Sequence, residues 1–234
     1  MGSAFSGIAH ASMISVSPIY MTFELGEPMY QDLQVFNLKA GKAYVAAHLV
    51  KVDHFGQADK KEIAFNDNPN QFGMVIAPPK MILLGHGQSS IRVVLLKRPV
   101  KHDLMYKIYI KPAEGELVPI ATDDKRVEGG VELIIQDAVL TYVRVADPRP
   151  KITLKQKQKL LIIQNTGNTK LKLIHIKQCP PTGHYEKCIK YANHLLFYGD
   201  AVTLKLKQDW PVQITQSCLG KLQHYRSSSP VPQE

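Results

Sequence analysis

No run of about 20 apolar residues occurs in the chain, so no segment reads as a membrane-spanning helix. Sustained helical periodicity is also missing, which argues against an α/β sheet, where amphipathic helices must alternate with strands. Catalytic signatures are scarce. There is no G-x-S-x-G elbow, the nine histidines are scattered, and "GHGQSS" at 85 to 90 lacks the Lys-Ser/Thr pair and the following helix that a phosphate loop needs. Neither catalysis nor a cofactor is expected. Acidic residues are rare in one region: from Lys151 to Arg226 the only ones are Glu186, Asp200 and Asp209.

That scarcity locates the formal charge of +9 in the C-terminal third of the 234 residues. A basic excess invites a nucleic-acid reading, but base-stacking platforms interleave aromatic rings with their cations. Here the lysines of "TLKQKQKLLII" and "TLKLKQ" alternate with apolar side chains, as on the solvent face of a sheet. No nucleic-acid partner is expected.

What the chain does have is a period of two. "LQVFNL" (33 to 38), "AYVAAHLVKV" (43 to 52), "KMILL" (80 to 84), "SIRVVLL" (90 to 96) and "LMYKIYIKP" (104 to 112) are short and rich in β-branched and aromatic residues. Gly, Pro, Asn or Asp turns separate them. Residues 12 to 25 read as a first strand running through Pro18. At "ADPRPK" (146 to 151) two prolines interrupt the pattern and favour an extended linker. A second β series follows, in which Asn-Thr-Gly-Asn between "LLIIQ" and "KLKLIHI" predicts a hairpin or tight turn. The fold class is therefore all-β, with two consecutive sandwiches. The expected divisions are an N-terminal domain over 12–146, a linker over 147–150 and a C-terminal domain over 151–225. The tail 226–234, "RSSSPVPQE", has no means of packing and is expected to be disordered.

Of the three cysteines, Cys179 and Cys188 bracket the short loop "PPTGHYEK". A disulfide is the expected pairing, and free thiols or a metal site with His184 are the alternatives. No CxxC or HxxxH spacing supports the metal, so none is assigned. Cys218 is the odd residue. The N-terminus carries a small-x-small pattern at Ala9-His10-Ala11 that suits signal-peptidase cleavage before Ser12, so residues 1–11 read as a signal-peptide remnant and the protein as exported.

The segment "GGVELIIQDAVLTYVRVADPRP" (129 to 150) alternates like a strand with one apolar face, Val131, Leu133 and Ile135. The larger pattern "MVIAPPKMILLGHGQSSIRVVLLKRPVKHDLMYKIYIKP" resembles the N-terminal domain of periplasmic pilus chaperones of the chaperone-usher pathway. "IIQNTGNTKLKLIHIKQC", a cysteine-containing loop and "LLFYGDAVTL" are similar to the C-terminal domain of the alternate branch of that family, which serves colonisation-factor and common-pilus systems.

The resemblance implies two immunoglobulin-like sandwiches in a boomerang, no enzymatic activity and a periplasmic location. It also implies pilin subunits and an outer-membrane usher as partners. In that family the last strand of the first domain is added to a pilin that lacks one, a mode of recognition for which chaperone and pilin pairs are a standing example. By position, Val131, Leu133 and Ile135 would enter the pilin groove, while Ile134, Ala138 and Tyr142 would hold the strand to its own domain. An exposed edge of this kind also offers self-association. The better-known branch anchors the pilin's terminal carboxylate with an Arg and a Lys; the aligned positions here are Tyr20 and Leu140, neither of them basic. Arg144 would substitute, or would pair with Asp103 to fix the domain angle. The competing class is a tandem-sandwich pilus or adhesin component, which would carry an alternating donor extension at its N-terminus.

Overall fold

The computed structural model describes residues 14–55, 59–66, 68–112, 137–181 and 185–227. The chain divides into two compact units. One comprises Met1–Lys51, Ile63–Lys97 and Met105–Tyr142; the other comprises Val52–Glu62, Arg98–Leu104 and Val143–Glu234. The division is thus not a single cut in the sequence.

The first ten strands are β1 (Ile14–Ser17), β2 (Tyr20–Phe23), β3 (Tyr30–Asn37), β4 (Ala43–Asp53), β5 (Lys61–Ala64), β6 (Met74–Ala77), β7 (Lys80–Leu83), β8 (Gln88–Leu95), β9 (Leu104–Pro112) and β10 (Asp137–Val143). They form a sheet in the order β1-β3-β8-β6 and a second in the order β2-β10-β9-β4-β5, with β7 also on β4. Alternation does what its period demands: Leu33 and Val35 of β3, Ile91, Val93 and Leu95 of β8, and Ile108 and Ile110 of β9 are buried at every second position. On the other face of the first sheet, Arg92 of β8 donates from Nε and Nη2 to the Asp32 carboxylate of β3 at 2.8 and 2.9 Å and lies over the Tyr30 ring. Asp32 and Arg92 are directly opposed in the β3–β8 register, and the guanidinium holds the Asp32 carboxyl below its ordinary value.

The expected single strand over 12–25 is broken. β1 pairs with β3, whereas β2 lies beside β10 in the other sheet, and the change of sheet falls at Pro18, which has no N–H for a central ladder. The "GHGQSS" segment is a turn leading into β8, with Gly87 N–H donating to the Leu84 carbonyl at 3.0 Å. A short helix, α1 (Pro69–Phe72), capped by Asn68 and ended by Gly73 at φ 86°, completes the first unit.

The second unit holds β11 (Ile152–Lys157), β12 (Leu160–Asn165), β13 (Leu171–Gln178), β14 (Ile189–Lys190), β15 (His194–Leu196), β16 (Ala201–Lys205), β17 (Val212–Cys218) and β18 (Lys221–Arg226). Its sheets run β11-β12-β16 and β14-β13-β17-β18, with β15 also on β13. Leu161, Ile163, Leu171, Leu173, Leu204 and Ile214 are among the residues of one shared apolar core. Segments remote in sequence join this unit through aromatic contacts: Phe55 meets Phe197 edge-on at 4.8 Å, and His102 stacks on Tyr198 at 4.5 Å.

Asn-Thr-Gly-Asn forms a tight turn but not a hairpin, because β12 and β13 belong to different sheets. The cause is Asn165, which is fully buried. Its Nδ2 donates to the carbonyls of Thr169, Leu196 and Phe197 at 2.9, 3.2 and 3.0 Å, and its Oδ1 accepts from Gly167 N–H at 3.0 Å. Gly167 sits so close to the linker that a Cβ would lie 2.4 Å from the Arg149 carbonyl oxygen. Asn37, also buried, plays the same part in the first unit, donating to the Gly41 and Leu84 carbonyls and accepting from Lys39 N–H. Gln178 does so in the second, donating to the Gln208 and Trp210 carbonyls and accepting from the Tyr191 hydroxyl.

Asp200 closes the 197–200 turn by accepting from Phe197 N–H through Oδ2 at 2.9 Å, while its Oδ1 is buried with no hydrogen-bond partner among the described residues. Burial pushes its carboxyl above the ordinary carboxylate value, against the smaller opposing pull of the Phe197 N–H.

Asn165→Ala is expected to remove the side-chain donor from the Thr169, Leu196 and Phe197 carbonyls, the last of which keeps the Asp200 N–H, and to lower unfolding stability by roughly 3 kcal/mol, measured by urea denaturation. A raised folded-state carboxyl means that the stability Asp200 gains from its proton is complete below the ordinary carboxylate range. It is lost as pH rises through the raised folded value. Asp200→Asn, which keeps an acceptor for Phe197 N–H, should therefore raise the melting temperature at pH 7, with the gain shrinking as pH falls from the raised folded value to the ordinary carboxylate range.

Candidate functional site

The candidate site is the last strand of the first unit and its neighbours. Val131, Leu133, Ile134 and Ile135 lie outside the described residues; the strand is seen from Asp137 onward as β10. β10 runs between β2 and β9, and the Leu140 N–H donates to the Ile19 carbonyl at 3.1 Å. Val139 and Thr141 are fully buried at alternate positions, so one face of β10 packs into its own unit.

On the other face the expected holding residues divide. Tyr142 is fully buried, whereas Ala138 is exposed; the neighbouring Val139 and Thr141 are fully buried. Thr141 Oγ1 is buried with no hydrogen-bond partner among the described residues, a cost of about 1 to 3 kcal/mol that an apolar isostere would not carry.

The structure brings Tyr20 and Leu140 onto adjacent strands, since Tyr20 opens β2 and Leu140 is central in β10. Tyr20 is exposed and Leu140 half-buried. Arg144 follows β10 directly and belongs to the second unit by its contacts. It is buried, and its Nη1 donates to Thr169 Oγ1 at 2.5 Å. The Asp103 carboxylate accepts the backbone N–H groups of Val145 at 2.9 Å and Lys170 at 2.6 Å, so Arg144 and the start of the linker are tied to the 165–170 turn. Asn168 adds to this: its Oδ1 accepts from Arg149 N–H and its Nδ2 donates to the Asp147 carbonyl. Asp103, Asn168 and Thr169 were not legible as a group, because Asp103 is remote in the chain from the adjacent Asn168 and Thr169 and the three follow no period.

Cys179 and Cys188 are joined by a disulfide, with an S–S distance of 2.10 Å and Cα atoms 4.3 Å apart. Neither thiol is available as a metal ligand. His184, the third member of the metal alternative, lies outside the described residues. Cys218 is not part of the disulfide and is buried, its Sγ 3.5 Å from the Lys170 carbonyl.

No sequence-family profile matches the chain. Two curated proteins of Escherichia coli, both named as fimbrial subunits, are similar in sequence. The one from CS1 fimbriae is 27% identical over 162 residues, 68% of this chain and 66% of that protein. The one from CFA/I fimbriae is 24% identical over 172 residues, 72% of this chain and 70% of that protein. The match thus spans about two thirds of the length of these relatives. Among solved structures, the class 5 fimbriae chaperone CfaA matches with a TM-score of 0.73 at 19% identity, covering 94% of this chain and 100% of that one. A chain of the chaperone-tip adhesin complex of CFA/I fimbriae biogenesis matches with a TM-score of 0.72 at 19% identity, over 93% and 99% of the two chains. The E. coli chaperone DraB gives 0.52 at 14% identity, over 94% and 98%. The chain therefore has the two-sandwich fold of pilus chaperones.

Proposed function

We propose that the chain is a periplasmic pilus chaperone of the chaperone-usher pathway. It binds pilin subunits by adding a strand to them and delivers them to an outer-membrane usher. It is not an enzyme in this reading. The observation that carries it is the combination of a fold shared with fimbrial chaperones over nearly the whole chain and the alternating segment Val131-x-Leu133-x-Ile135 that precedes β10 in the sequence. β10 is paired on both sides and buried on one face, so a segment leading into it starts from a fixed strand rather than from a free loop.

Energetics favour such a role for these three residues. Burying each side chain in a pilin groove would contribute about 1.5 to 3 kcal/mol before ordering costs, and each main-chain hydrogen bond about 0.5 to 1.5 kcal/mol. With Tyr20 and Leu140 at the aligned anchor positions, affinity in this chain rests on apolar burial and backbone pairing rather than on a charged carboxylate clamp.

The names of the two E. coli relatives favour a second reading, a structural component of the pilus itself. A polymerising component of that class offers an alternating N-terminal segment to its neighbour. Here the N-terminal alternation is used internally, because Ile14 to Ser17 pair with Asn37 to Gln34 of the same unit. Fibre formation by the purified protein alone, increasing with concentration, would support the structural reading.

Co-purification with a pilin tests the chaperone reading. Replacing both Leu133→Glu and Ile135→Glu should weaken capture by about 100-fold or more, the equivalent of losing roughly 3 kcal/mol of apolar burial. Undiminished capture by the double variant would sink the donor assignment.

A further inference from the structure

Part of the basic excess of the chain lies on one sheet face of the second unit, beside an exposed leucine. From Arg144 to Arg226 there are fifteen Lys and Arg against four Asp and Glu, which leaves the remainder of a chain of net charge +9 close to neutral. Within β11, β12 and β16 there is no acidic residue at all. The register of these strands sorts their side chains cleanly. Leu161, Ile163 and Leu204 point into the core, so the residues between them form the outer face. Across that face Lys157 opposes Leu160 and Leu160 opposes Lys205, while the next row reads Lys155, Ile162, Thr203. Lys159 in the β11–β12 turn and Lys207 just beyond β16 extend the same end, and all five lysines are exposed.

Leu160 sits in the middle of this group with 45% of its surface open to solvent. Strand spacing puts Lys157 and Lys205 roughly 10 Å apart, close enough for their fields to add at moderate ionic strength. We propose that the outer face of the β11–β12–β16 sheet docks on an anionic phospholipid surface. The lysines would meet headgroup phosphates while their stems and Leu160 rest at the level of the headgroups.

Three features select this partner. The cations are lysines, point charges without the planar fork that reads phosphate and base edges in nucleic acids. The three strands carry no aromatic residue on which a base could stack. A sheet face is flat, unlike a helix or ribbon that fills a groove. A second copy of the chain is a poor counterpart, because the part of the sequence outside this region is nearly neutral.

Co-sedimentation of the full chain with phosphatidylcholine vesicles, with and without phosphatidylglycerol, tests the proposal. Binding is expected only to the anionic vesicles, and should fall when salt is raised several-fold. The triple variant Lys155→Glu, Lys157→Glu, Lys205→Glu should bind about 100-fold more weakly. A control with the same net charge, Lys172→Glu, Lys190→Glu, Lys221→Glu, changes lysines on strands of the other sheet and should retain most of the binding. Near-ultraviolet circular dichroism checks folding, and the corresponding Lys→Gln triple variant replaces the Glu variant if that one unfolds. Equal loss in the two triple variants, binding to neutral vesicles, or tighter binding to a duplex DNA oligonucleotide than to anionic vesicles would overturn the proposal. Pilin capture by the lysine variants is expected to be unchanged, so the lipid and chaperone readings fail separately.

Discussion

Backbone polar groups at the corners of the two sandwiches must find partners without water, and buried side-chain amides supply them. Strand ladders satisfy their own N–H and C=O groups, but a chain that leaves one sheet for another exposes both. Asn37, Asn165 and Gln178 each bond two or more backbone groups from segments far apart in sequence. Asp103 does the same with two N–H groups from the linker and the 165–170 turn. The apolar cores provide most of the driving force, but such cores tolerate sliding and repacking. The amides have directional requirements, so they fix which loop meets which strand.

That constraint shapes the candidate site. β10 ends directly at Arg144, which is buried and bonded to Thr169, and the linker beyond it is held by Asp103 and Asn168. The chain that leaves the strand is therefore held by these bonds. A strand fixed at its C-terminal end is suited to strand addition, since less ordering remains to oppose binding. In this chain, with no basic residue at Tyr20 or Leu140, register on a partner would be set by that fixed end and by the spacing of Val131, Leu133 and Ile135. Under the proposed reading this would differ from a carboxylate clamp in resting on apolar contact, which salt does not screen.

Much of this was legible in the sequence because a period of two is a direct imprint of a half-buried sheet. β3, β4, β8 and β9 fall within a few residues of their expected places, and Cys179 and Cys188 are bonded to each other. Where reading failed, the information was not periodic. β18, with mostly exposed residues in "KLQHYR", has no apolar face to reveal it and forms by pairing with β17. The switch at Pro18 and the non-hairpin turn at Asn165 depend on which sheet each flanking strand joins, a tertiary choice. Asp103 and Asn165 carry no local signal of their bonding, because their partners are backbone groups that any sequence possesses.

The central claim is that residues 131 to 135 form backbone pairs with a pilin. Hydrogen-deuterium exchange over residues 129 to 137, with the protein free and then mixed with a purified pilin, tests it most directly. The account predicts marked slowing of exchange in this segment on binding, because its N–H groups become donors in an intermolecular ladder. Unchanged exchange there, with protection appearing elsewhere on the chain, would contradict it.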